Sequence, residues 1–324
     1  MDVEGVAIAD LPPSEAKPQK SQSLITVLVA LAANALIAVA KSAVAAVTGS
    51  ASMVAEAAHS WSDTGNEVLL LIAERKSTRP ADRSHPLGYG REAYVWSMIA
   101  AFGLFTAGSI VSIWHGITEL GRHAPEPSYT WSYVVLGVAF LLEGASFLQA
   151  LRQTRGEAKR RGMRPPRFVT ETSSPTLRAV FVEDSAALVG ILIAVFGIGL
   201  HQATGNALWD AVGSILIGIL LGVVAIFLIA CNRDYLTGQA VADDVQRQAM
   251  DALLAEPAIK AISFLHLEYV GPSRIFLIAA VDFAGDLPEH ELAAQLQAIE
   301  DRLNSHEFIE RAILTLSAPG RSGL

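Results

Sequence analysis

Residues 55–74 read AEAAHSWSDTGNEVLLLIAE. Glu56, His59 and Asp63 stand three and four residues apart, Asn66 and Glu67 follow a turn later, and an apolar run comes next. Such intervals place side chains on one face of an α-helix, so the stretch predicts a helix with a continuous polar stripe about two turns long, extended by a further turn. The meaning of that stripe depends on the surrounding solvent. An ionisable group at bilayer depth costs roughly 2.5–3.5 kcal/mol on insertion scales, so it faces a protein interior, a water-filled cavity or a charged partner.

The composition points to a bilayer. Of 324 residues, 52% are hydrophobic and only 17% charged, and the mean hydropathy is +0.39, above that of ordinary soluble domains. Apolar runs at 24–47, 51–73, 93–117, 131–151, 177–200 and 207–231 each have the roughly 20 residues needed to cross a hydrocarbon core of about 30 Å. Backbone groups there have no water to bond, so the six segments are expected to be helices.

Charge orients them. A basic stretch after the second span holds Arg75, Lys76, Arg79, Arg83 and Arg91, and another after the fourth holds Arg152, Arg155, Lys159, Arg160, Arg161, Arg164, Arg167 and Arg178. The turns after the first and fifth spans hold no basic residue, and the loop after the third holds only Arg122. By the positive-inside rule both basic loops and both termini are cytoplasmic.

Residues 1–23 carry Pro, Ser and mixed charge without an apolar core or an Arg-rich amphipathic face, which predicts a disordered cytoplasmic tail. The transmembrane region is expected over 24–236. A soluble module follows over 237–318, and a flexible end over 319–324. Within the module, 242–255 and 288–304 read as helices, while AISFLHLEYV, RIFLIAAVDF and RAILTLSA read as strands, the first two joined at Gly271-Pro272. This order, αββαβ, predicts a ferredoxin-like α+β domain. The fold class is therefore an α-helical membrane protein of six transmembrane helices followed by a cytoplasmic ferredoxin-like domain.

From residue 238 onward, thirteen Asp and Glu stand against six Lys and Arg, nearly the whole formal charge of −8. An acidic module argues against nucleic-acid binding; its charge is expected either to concentrate cations near the membrane or simply to keep the module solvated. The lone Cys231 excludes an intramolecular disulfide and any cysteine-based zinc cluster.

A second polar group interrupts the fifth span, AVFVEDSAALVG, where Glu183 and Asp184 are adjacent. Neighbouring helix positions point about 100° apart, so at most one of them is expected to face the same spot as His59 and Asp63. Lys41 in the first span and Glu143 in the fourth add further intramembrane charge, and Lys41 is expected to pair with a carboxylate of the fourth or fifth span or to reach the interface. One imidazole and two or three carboxylates from two helices suit a tetrahedral divalent metal. Zn²⁺ is the leading candidate beside Mn²⁺, Fe²⁺ and Co²⁺, and the lack of sulfur argues against Cu(I). An imidazole, with an ordinary pKa near 6.5, also lets protons compete with the metal.

These residues resemble a family. HSWSD, EDSAALVG, HPLGYGRE at 85–92, WDAVGSILIGIL and the small C-terminal module together are similar to the cation diffusion facilitators, and most to the branch of zinc transporter nine and its bacterial relatives. The resemblance implies a homodimeric proton-coupled exporter of divalent metal with a four-position site. Carried over, His59 and Asp63 fill the second-span pair and Asp184 the later fifth-span position. The earlier one is Val180, which leaves Glu183, water or a neighbouring side chain to complete the site.

The expected activity is thus proton-coupled export of a divalent metal by alternating access across the cell inner membrane. The metal is substrate and there is no cofactor. Glu56, Asn66, Glu67 and Asp210 are expected to line the route or support the ligands. Asp82 and His85, in the loop after the second span, are expected either to collect metal at the cytoplasmic mouth or to form a purely structural His–Pro turn. His266, His290 and His306 lie on separate elements without ligand spacing. The other reading is a non-transporting scaffold or metal-sensing receptor that acts through its acidic module. A membrane metalloenzyme fits poorly, because no nucleophile–base pair accompanies the motif.

Overall fold

A computed structural model describes residues 24–120 and 129–318; the expected N-terminal tail, Arg122 and the flexible end at 319–324 lie outside them. The helical part begins with α1 (Leu24–Thr48) and α2 (Ala51–Ser77), separated by Gly49, whose left-handed φ of 65° turns the chain back. The third span is α3 (Glu92–Ala100), a π-helical turn (Ala101–Phe105) and α4 (Thr106–Glu119). Then come α5 (Tyr129–Arg160), the short α6 (Pro165–Glu171), α7 (Pro175–Thr204) and α8 (Leu208–Leu236).

Five of the six expected spans are long and apolar enough to cross a membrane. The sixth, α2, carries the polar stripe in its middle, and neighbouring helices bury that stripe: Glu56, His59 and Asn66 are all inaccessible. A helix enclosed on most sides can hold charge that a lipid-facing helix cannot.

Local chemistry explains several boundaries. Ser174 caps α7 by accepting the Leu177 N–H, Pro175 occupies its first turn, and Gly205 ends it in the left-handed region. At the π-helical turn the Ser62 hydroxyl of α2 lies 3.0 Å from the Leu104 carbonyl, supplying a donor where the regular ladder is broken.

The basic stretch after the fourth span is not a loop. α5 continues through Arg152, Arg155, Lys159 and Arg160, and α6 follows. Arg178 lies in the first turn of α7 and is fully buried, donating Nε to the Val169 carbonyl at 3.2 Å and Nη2 to that of Thr172. Charge sign reports the side of a membrane, whereas Arg, Lys, Glu and Gln are all good helix formers, so the composition did not require a loop.

The chain forms two compact units: one runs to Glu74 and from Tyr94 to Arg233, the other comprises Arg75–Ala93 and the chain from Asp234 onward. In the second, α9 (Asp243–Leu254) precedes β1 (Ile259–Gly271) and β2 (Arg274–Phe283), and α10 (Glu289–Asn304) precedes β3 (Ile309–Leu316). The sheet order is β1-β2-β3, antiparallel then parallel, with α10 as the crossover. Ala249, Leu253, Ile299 and Leu303 of the helices are buried, as are Leu267, Leu277 and Leu314 of the strands, which fits helices packed on one sheet face. Asn304 and Glu300 of α10 accept the Ala312 and Leu314 N–H groups of the edge strand.

The loop of 78–91 belongs to this same unit. Gly90 meets Gly271 at the end of β1 so closely that a Cβ on Gly90 would lie 2.5 Å from the Val270 carbonyl oxygen. Beside that contact Arg91 pairs with Glu268, which His266 also approaches at 3.4 Å.

Candidate metal centre

The polar stripe forms because α2 presents one face to α1, α7 and α8. Its first turn is fixed from a distance: the Asp210 carboxylate of α8 accepts the N–H groups of Ala51 at 2.7 Å and Ser52 at 3.1 Å and the Ser50 hydroxyl at 3.0 Å. Asp210 is thus a helix cap supplied by another helix; both its oxygens are occupied, and a carboxylate at a helix N-terminus is favoured by the free N–H groups there.

Below that cap, Glu56 pairs with Lys41 of α1 at 2.8 Å, with 0% and 1% of the two side chains exposed. Lys41 therefore neither reaches the interface nor pairs with a carboxylate of the fourth or fifth span. Two ions fully out of water require close pairing, and the antiparallel run of α1 beside α2 places Glu56 opposite it. Further along, Asn34 of α1 donates to Glu67 at 2.5 Å. Asn34 was legible in the sequence as a polar residue seven before Lys41, on the same helix face.

His59 is 1% exposed, and its Nε2 stands 3.5 Å from Asp63 Oδ2, too far for a good hydrogen bond. Both ring nitrogens of His59, Asp63 Oδ1, Glu56 Oε1 and Glu67 Oε2 are buried without a hydrogen-bond partner. Glu143 of α5 is half-buried.

On α7 the adjacent acids diverge. Glu183 is buried and both its oxygens lie 2.7 Å from Asn66 Nδ2 of α2. Asp184 turns toward α5, where Ser146 donates to it at 2.7 Å. Among the described residues no three His, Cys, Asp or Glu side chains converge closely enough to hold a metal ion. His59 and Asp63 come together; Glu183 is held back by Asn66, and Asp184 by Ser146.

Gly190 of α7 was missed in the sequence, where it is one of 25 glycines. A Cβ there would lie 2.6 Å from Glu56 Oε1 and 3.5 Å from His59 Nδ1, so its lack of a side chain lets α7 approach the stripe.

The other candidates lie elsewhere. Asp82 is exposed and accepts from Ser84 N at 2.8 Å, Ser84 Oγ at 2.6 Å, His85 N at 2.9 Å and the Tyr89 hydroxyl at 2.8 Å. These donors, those of Ser84 and Tyr89 foremost, hold its carboxyl below the usual carboxylate range. His85 stacks on Tyr89 at 4.0 Å and stands 3.9 Å from Asp82. Asp82 and His85 organise the loop, and among the described residues they belong to no group of three side chains that could hold a metal ion.

A bundle of apolar helices enclosing a His- and carboxylate-bearing helix, with an α+β module after the last span, defines a membrane protein built to handle cations. The comparisons with known proteins agree: residues 27–237 match the cation efflux transmembrane domain, and the chain belongs to the cation diffusion facilitator family. It is 36% identical over 259 residues to the mitochondrial proton-coupled zinc antiporter SLC30A9 of Homo sapiens, covering 80% of this chain and 46% of that protein. Metal tolerance protein C4 of Arabidopsis thaliana is 36% identical over 273 residues, 84% of this chain and 59% of that one. Magnetosome protein MamM of Paramagnetospirillum magneticum is 24% identical over 277 residues, 81% and 76% of the two chains. The chain thus spans about half the length of the zinc antiporter it matches.

Proposed function

We propose that this protein is a proton-coupled antiporter that exports a divalent transition metal from the cytoplasm, zinc before manganese, iron or cobalt. One observation carries the reading: His59 and Asp63 hold three buried polar atoms without hydrogen-bond partners at membrane depth, an arrangement costly unless a ligand completes it. Similarity to proteins named as a zinc antiporter and a metal tolerance protein supports the same assignment.

In this reading His59, Asp63, Asp184 and Glu183 bind the ion as it passes. Glu183 leaves Asn66, or Asp184 leaves Ser146, to complete the coordination that Val180 does not supply. Cytoplasmic metal displaces protons from these groups, the bundle rocks to open outward, and incoming protons release the ion. The protein works as a homodimer in the cell inner membrane, with both termini cytoplasmic, and performs no covalent chemistry.

The test is flux in proteoliposomes carrying zinc- and proton-sensitive dyes. Zinc movement coupled to opposite proton movement, lost in His59→Ala and Asp63→Ala, is the expected result. Unchanged flux in both variants refutes the site. A wild-type protein that binds zinc but moves none is a receptor or scaffold, the reading that Val180 favours.

A further inference from the structure

His59 offers its two ring nitrogens to different surroundings. Nε2 lies on the side of Asp63, 3.5 Å from its Oδ2. Nδ1 lies at the crossing with α7, where the space left by Gly190 brings in a second group: a Cβ at 190 would be 3.5 Å from Nδ1 and 2.6 Å from Glu56 Oε1. Glu56 precedes His59 by three residues, one turn of the same helix, so the two side chains are neighbours. Glu56 Oε1 and His59 Nδ1 are both buried, and neither has a hydrogen-bond partner.

The rest of the Glu56 carboxylate is immobilised. Its other oxygen is held by Lys41 at 2.8 Å, with both side chains inaccessible. Glu56 therefore has one oxygen neutralised by a fixed cation and one that, like His59 Nδ1, borders the space left by Gly190.

We propose that Glu56, anchored by Lys41, is the positioning carboxylate of His59: Glu56 Oε1 accepts the Nδ1 proton, leaving the lone pair of Nε2 beside Asp63 to face the metal. A histidine that binds metal through one nitrogen commonly donates the other N–H to a carboxylate, which sets both tautomer and ring orientation. Lys41 makes this possible in a bilayer, since an uncompensated buried carboxylate would be costly. The proposal rests on the metal-holding role assigned to His59 above.

The experiment uses the full chain in detergent, labelled with ¹⁵N-histidine, the His59 signal being identified by its loss in His59→Gln. The ring nitrogen shifts report the tautomer with and without Zn²⁺, and calorimetry reports Zn²⁺ affinity. One variant accompanies the wild type: Lys41→Met combined with Glu56→Leu, which removes the ion pair as a unit and leaves no lone charge. The wild type is expected to show Nδ1–H; the double variant loses that signature and binds about 10- to 100-fold more weakly.

A double variant with the Nδ1–H signature and wild-type affinity overturns the proposal and reduces the pair to a tie between α1 and α2. Should the double variant not fold, the wild-type tautomer decides, because protonation on Nε2 is incompatible with the arrangement. Absence of Zn²⁺ binding in the wild type refutes the metal reading separately, while the metal-free tautomer still tests the role of Glu56.

Discussion

The Asp210 carboxylate accepts the Ala51 N–H at 2.7 Å across 159 residues of sequence, so the helix that carries the polar stripe begins on a cap contributed by α8. Replacing Asp210 with Ala frees three buried donors. Caps of this kind contribute about 1–2 kcal/mol, and Asp210→Ala is expected to lower the thermal midpoint in detergent by several degrees. Zinc affinity of the folded protein, measured by calorimetry, should change far less than in Asp63→Ala.

Gly190→Ala tests the approach of α7 to α2. The new methyl would stand 2.6 Å from Glu56 Oε1, and Lys41 prevents that carboxylate from yielding freely. Overpacking costs typically about 1–3 kcal/mol, more than the roughly 1 kcal/mol that Ala gains over Gly in a helix. The variant is therefore expected to unfold at lower temperature, as scanning calorimetry would detect, and to bind zinc more weakly.

The two acids of α7 should respond differently to loss of their donors. Asn66→Ala leaves the buried Glu183 carboxylate without the amide that contacts both its oxygens, an orphaning expected to cost about 1–3 kcal/mol. Ser146→Ala removes the hydroxyl from the less enclosed Asp184 and is expected to cost less. Chemical denaturation of both variants checks the order, and equal losses would contradict this placement of the acids.

Asp82 supplies a pH-dependent contribution in the loop of 78–91. Because hydrogen bonds from Ser84, Tyr89 and His85 hold its folded pKa below the ordinary carboxylate value, its contribution is complete above about pH 4 and is lost as pH falls through the depressed value. A ¹³C carboxyl titration is expected to show Asp82 still ionised where exposed carboxylates are half protonated. Asp82→Asn should retain the turn at pH 7, with unchanged hydrogen-exchange protection at Ser84 and His85.

Much of the molecule was legible locally. Hydropathy and length marked the spans because a bilayer demands about 20 apolar residues, and intervals of three and four placed Glu56, His59 and Asp63 on one face. The αββαβ order followed from a change of period, and Ser174-Pro175 and Gly205 marked the limits of α7.

Pairing was not legible, since it depends on the rotation and depth of each helix against its neighbours. Lys41 could have met any of several acids, and only the packing of α1 on α2 selects Glu56. Adjacent positions 183 and 184 had to diverge by about 100°, yet which acid met α2 depended on how α7 is turned about its axis.

The sequence by itself determined the apolar spans, the polar stripe and the small α+β module, because each follows from the chemistry of short segments. Tertiary structure alone decided that Asp210 is a cap, that Arg178 is buried, that Gly90 packs on Gly271, and that Glu56 pairs with Lys41. These contacts join elements distant along the chain, and the close packing that creates them has no counterpart in any single segment.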